Sequence, residues 1–155
     1  MLKVDGVPIG KALHTYYLSD KLNYSPDGSC MIVVATDAPL DSRNLKRLAK
    51  RAILGLGRTG GIASNGSGDY VIAFSTNEKV RVPYEPDSPV REVPDLGNDA
   101  MSPLFMAAIE ATEEAIINSL FQARTMTGRD HHEVTALPVD KVLRIMEQHG
   151  YRVSH

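Results

Sequence analysis

Several classes of protein are excluded by what this 155-residue sequence lacks. Its one cysteine, Cys30, cannot form an internal disulfide, so a reducing, cytoplasmic compartment is expected. No run approaches the ~20 apolar residues of a membrane-spanning helix, and the opening Met1-Leu2-Lys3-Val4-Asp5-Gly6 lacks the apolar stretch of a secretion signal. Without such a signal, the glycosylation-like Asn65-Gly66-Ser67 carries no chemical meaning. Nor is there an excess of charge: 17 Lys and Arg stand against 19 Asp and Glu, with no basic block of the kind that tracks a phosphate backbone. Neither nucleic acid nor a membrane is therefore expected as a partner. Repeats and low-complexity segments are also missing.

What is present suits a folded α/β domain. Hydrophobic residues make up 43% and charged residues 23%, a balance that supports a core at a length typical of one domain. Residues 1–28 read as an extended lead-in ending in the turn-forming run Asn23-Tyr24-Ser25-Pro26-Asp27-Gly28, and 29–155 as the main domain. Cys30 to Ala35 is short, partly β-branched and unbroken, the pattern of a central strand buried on both faces. Asp41 or Ser42 can cap a helix whose Leu45, Leu48, Ala49, Ala52, Ile53 and Leu56 share one face, with Arg43, Lys46, Arg47, Lys50 and Arg51 solvated elsewhere. A glycine-rich loop then leads to a second apolar strand, Tyr70 to Phe74.

From Asn77 to Asn98, four prolines (83, 86, 89 and 94) indicate a surface excursion, with a possible edge strand at Lys79 to Tyr84. Ser102-Pro103 opens a long helix running toward Gly128. Pro138 starts another, with Val142, Leu143 and Met146 inward and Gly150 as its stop.

Four motifs invite a chemical reading. Gly55-Leu56-Gly57-Arg58-Thr59-Gly60 fits the dinucleotide pattern, but that fingerprint needs a strand before it and a helix after it, and here the order is reversed. Close approach or unusual backbone angles explain these glycines better. Asp130-His131-His132-Glu133 offers metal-ligand types without the i, i+4 spacing of a helical zinc site, and reads as a polar loop. Cys30 reads as a small buried hydrophobe. The fourth is Gly28-Ser29 ahead of a buried strand, with Ser67 and Asp69 just before a second one. A cut before Ser29 would give one residue both a hydroxyl nucleophile and a free α-amine titrating near ~8, a suitable general base. Spacing alone would equally allow a plain Gly-Ser turn.

The segment Gly28-Ser29-Cys30-Met31-Ile32-Val33-Val34-Ala35-Thr36-Asp37-Ala38-Pro39-Leu40 resembles the nucleophile segment of the P1/S58 peptidases, the DmpA-like aminopeptidases and β-aminopeptidases. The resemblance continues through Leu45 to Arg51, Gly55 to Gly61, Asn65 to Asp69, Ala111 to Ile116 and Thr125 to Asp130. It implies an α/β/β/α sandwich of the DmpA and ornithine acetyltransferase type, of which this chain would be the C-terminal half. It implies autocleavage between Gly28 and Ser29, attack by Ser29, and tuning of that serine by Ser67 and Asp69. It further implies a serine aminopeptidase or amidase that needs no metal or cofactor and hydrolyses N-terminal residues of short peptides, amides or esters. Such enzymes assemble into larger oligomers, so a homo-oligomer is expected. Almost all of the family's N-terminal portion is missing here, and with it oxyanion-hole groups and part of the substrate pocket. That portion is the expected partner. The alternatives are a catalytically silent subunit or assembly partner, and an acyltransferase whose acyl-enzyme is discharged by an amine.

Overall fold

The computed structural model describes residues 1–13 and 28–152. The turn-forming run Asn23 to Asp27 thus lies outside the described residues. The central unit is a β-α-β crossover. Strand β1 (Met31–Thr36) leads into helix α2 (Ser42–Arg58), which returns to β2 (Tyr70–Ser75), and the strands pair in parallel with Met31 opposite Tyr70 and Thr36 opposite Ser75. Helix α3 (Met101–Gln122) packs along α2, and α4 (Val139–Gln148) closes against a short α1 (Ile9–Leu13). A small hairpin, β3 (Met126–Thr127) with β4 (Glu133–Val134), joins α3 to α4. The expected order of strand, helix, strand, helix, helix is present within this larger set.

Helix α2 begins where capping chemistry requires. Asp41 is extended and its carboxylate accepts the Asn44 amide at 2.6 Å, meeting a donor that has no partner within the helix. Of the face expected, Leu48 and Ala52 are buried and Leu45, Ala49, Ile53 and Leu56 half-buried, and the stripe also takes in Asn44 and Gly55, the glycine lying against α3. Leu40, Leu48 and Met101 are at most 2% exposed and anchor a cluster between α2, α3 and the inner face of β1, each worth about 1.5–3 kcal/mol of burial. A second cluster joins Val7, Ile9 and Leu13 to Val142, Ile145 and Met146. The α4 stripe is thus Val142, Ile145 and Met146, with Leu143 only half-buried.

The structure corrects several expectations. Strand β1 is not buried on both faces: Ile32 is covered by the helices, while Met31 and Val33 are 64% and 61% exposed because nothing among the described residues overlies that side. The lead-in is not wholly extended, since Val4 and Val7 bridge and α1 follows, drawn together by the apolar cluster with α4. No edge strand forms at 79–84: Asn77 caps a single 3₁₀ turn at Glu78–Val80, and among the described residues no neighbouring strand is there to pair. Helix α3 starts at Met101, placing Pro103 in the first turn where its missing N–H has no role, and stops at Gln122 where Ala123 turns extended. Helix α2 runs through Gly55 and Gly57, so the glycine-rich loop starts only at Thr59. Arg47 and Arg51 are not simply solvated, their guanidiniums lying 5.0 and 4.1 Å from the Phe105 ring centroid. Among the described residues no helix is long and apolar enough to cross a membrane.

Candidate active site

Parallel pairing does for this site what sequence spacing cannot. Because Met31 stands opposite Tyr70, the residues just before the two strands are also neighbours, although 39 positions separate them. Ser29, Ser67 and Asp69 meet there, at the amino ends of both strands, around a cavity of about 340 Å³. Leu56, Ile62 and Ala63 line its other side.

The bonding is reciprocal and closely fitted. The Gly68 amide donates to Ser29 Oγ at 3.0 Å. One oxygen of Asp69 accepts the Cys30 amide at 2.9 Å, and the other accepts the Ser67 hydroxyl at 2.7 Å. The Ser67 amide in turn donates to the Ser64 carbonyl at 2.8 Å, fixing the turn that carries all three groups. The 67–69 segment therefore grips Ser29 by its side chain and the next residue by its main chain. A donor at Oγ selects the hydroxyl's direction and favours negative charge developing on that oxygen. Neither Gly28 nor Gly68 is crowded beyond van der Waals contact except that a Cβ at Gly68 would stand 3.3 Å from the Tyr70 ring and 3.4 Å from Ser29 Oγ. A side chain there would ask the Tyr70 ring to give by a few tenths of an ångström.

All three residues singled out from the sequence are thus brought together. Two further participants were not legible from residue type. Gly68 acts through its amide, and Cys30, half-buried and not the fully buried hydrophobe expected, is held by its main chain. A glycine between Ser67 and Asp69 was the only available hint.

The other motifs go elsewhere. Gly55 lies inside α2, where a Cβ would come 2.6 Å from the Ile109 carbonyl and 2.8 Å from Thr112 Cβ, so this glycine permits close packing of α2 on α3. Gly60 has φ +98° and abuts the main chain of Met1. Asp130 to Glu133 form the exposed end of the β3–β4 hairpin, and among the described residues no group of three potential metal ligands gathers.

Comparison with known proteins identifies the family and the fold. The sequence model of peptidase family S58 matches residues 1–134. The β-peptidyl aminopeptidase BapA of Sphingosinicella xenopeptidilytica is 37% identical over 155 residues, covering 94% of this chain and 38% of that protein. Among solved structures, the PH0078 protein of Pyrococcus horikoshii OT3 superposes with a TM-score of 0.83 at 49% identity, over 97% of this chain and 39% of the other. The L-aminopeptidase D-Ala-esterase/amidase of Ochrobactrum anthropi, described as a serine aminopeptidase with a variant of the Ntn hydrolase fold, gives 0.84 at 33% identity, over 96% and 40%. The chain thus spans about two fifths of the length of these relatives. It shares their fold, and it belongs to peptidase family S58.

Proposed function

We propose that this chain is the nucleophile-bearing half of a self-processing N-terminal-serine aminopeptidase or amidase. The observation that carries this reading is the convergence of the 67–69 turn on Ser29 at the mouth of a cavity. In the first step Ser29 Oγ attacks the Gly28 carbonyl, the amide becomes an ester, and water releases residue 28 as a carboxylate. Ser29 then carries a free α-amine. In turnover that amine takes the Oγ proton as the hydroxyl attacks the acyl carbon of a short peptide, amide or ester, and returns it to the departing amine or alcohol. Water completes hydrolysis of the acyl-enzyme. Gly68 offers its amide to Oγ, while Asp69 and Ser67 hold the turn and the Ser29–Cys30 main chain in register.

The remainder of the site comes from the missing N-terminal portion. The sheet face left without cover among the described residues, made of Met31, Val33, Tyr70, Ile72 and Phe74, is the kind of large apolar surface that an adjoining layer buries. Among the described residues the opposite edge of β1 also has no pairing strand, and it borders a cavity of about 450 Å³ lined by Ala111 and Ala115 of α3. We place the enzyme in the cytoplasm, acting as a homo-oligomer. The bare face equally favours a second reading, a silent subunit whose role is assembly. The two differ in the intact mass of the chain co-expressed with a family N-terminal portion. The enzyme yields a species beginning at Ser29 that disappears in Ser29→Ala, whereas the silent subunit keeps its Gly28–Ser29 bond.

A further inference from the structure

Residues 82–94 form an arm that stands away from the rest of the fold. Its base is firmly tied. Arg81 donates to the Thr76 carbonyl at 3.0 Å, Arg91 donates to the Arg81 carbonyl at 2.6 Å, and at the return end Asp95 accepts from the Asp41 amide and from Asn44 Nδ2 while the Leu96 amide bonds the Pro39 carbonyl. Its tip is bare: Val82 and Val90 are each 78% exposed and Tyr84 is 98% exposed. Pro83, Pro86, Pro89 and Pro94 bias the arm toward extended backbone and reduce what it loses in ordering on contact. They also remove donors a β-ladder would need, so the arm is suited to binding by side chains. Those side chains combine apolar groups with the exposed carboxylates Glu85, Asp87 and Glu92, none of them in an ion pair among the described residues.

The complementary surface lies on the same chain. Helix α2 contains Arg43, Lys46, Arg47, Lys50, Arg51 and Arg58 and no acid. Arg43, Lys46, Lys50 and Leu54 fall at helical spacing and are all exposed, Leu54 at 55%. Arg43 is near enough to Asp95 to lower the pKa of that carboxyl, but Lys46 and Lys50 form no ion pair among the described residues. Lys46 to Leu54 spans ~12 Å of helix. Half of the arm, about six extended residues, reaches ~19 Å.

We infer that two copies of this chain associate reciprocally, the acidic, tyrosine-bearing arm of each lying along the Lys46–Lys50–Leu54 stripe of the other. This specifies surfaces for the homo-oligomer already proposed and rests on that part of the reading, independently of Ser29 chemistry. A two-fold pair satisfies both arms and both stripes and leaves no open end.

Sedimentation velocity over a range of concentration and salt tests the inference on the whole chain. The wild type is expected to form a dimer that weakens as salt rises. Reversing the stripe (Lys46→Glu with Lys50→Glu) or the arm (Glu85→Lys with Asp87→Lys) raises the dimer Kd on the order of tenfold or more, since like charges then face each other. Both surfaces are exposed, so neither variant should change thermal unfolding of the monomer. Mixing the two variants restores a dimer, because every arm then meets a stripe of opposite charge. A dimer insensitive to both reversals but lost in Ile72→Lys would overturn these surfaces and assign association to the bare sheet face. A wild type that stays monomeric throughout would overturn the self-association reading as well.

Discussion

Two polar turns of this protein carry similar residue types in the sequence, and only one becomes part of the candidate site. The 67–69 turn and the 129–132 turn each place acids and proton-carrying side chains beside a glycine. The first lies against a distant serine and completes three hydrogen bonds with Ser29, Cys30 and itself. The second closes only on its own hairpin: the Gly128 amide bonds the His132 carbonyl at 2.7 Å, and Asp130 and His131 both adopt positive φ, 56° and 59°. Residue types were comparable, so the difference lies in topology. Parallel strands juxtapose remote chain segments at their ends, whereas a hairpin tip faces solvent.

That contrast can be sharpened by substitution. Ser29→Ala should have the largest effect, removing self-cleavage and lowering kcat/KM of the assembled enzyme by ~10⁴ or more, as removal of a nucleophile does. Asp69→Ala comes next, leaving the Cys30 amide and the Ser67 hydroxyl without their acceptor; a loss of ~10²–10³ in kcat is expected when positioning of this kind fails. Gly55→Ala touches neither turn. It should lower stability by about 1–3 kcal/mol in chemical denaturation, because the new methyl meets the Ile109 carbonyl on α3. At the hairpin, His131→Gly should leave activity unchanged and raise stability by ~1 kcal/mol, by relieving the left-handed backbone of a residue with a Cβ. A loss of activity there would erase the distinction between the two turns.

The smallest effect concerns pH. The Asp41 amide beside Asp95, together with Asn44 and Arg43, holds the Asp95 carboxyl below its ordinary value of 3.8. Its folded pKa is depressed, so the stabilising contribution is present above 3.8 and is lost as pH falls through the lower folded value. Thermal unfolding of wild type and Asp95→Ala should therefore differ at neutral pH and converge in acid.

Much of this was legible in the sequence, for identifiable reasons. The α2 cap, its buried face and the apolar runs of β1 and β2 depend on local pattern, which the chain states directly. Ser29, Ser67 and Asp69 were legible through several ordered segments resembling one family, because each segment carries its own constraint. The exposure of Met31 and Val33 was not, since an apolar strand reads the same whether its cover lies in this chain or outside it. The short α1 was missed because only packing against α4, far along the sequence, gives it a reason to form. Gly68 was missed because its contribution is an amide, which every residue but proline possesses.

The account depends most on the identity of the acylated atom. The direct measurement is an acid quench of the assembled enzyme during turnover of an amino-acid ester, followed by peptide mapping by mass spectrometry. The expected result is an acyl group on the peptide that begins at Ser29, carried as an ester on that residue and absent from Ser29→Ala. Acylation at Cys30, or turnover with no acyl group trapped on Ser29, would contradict the account.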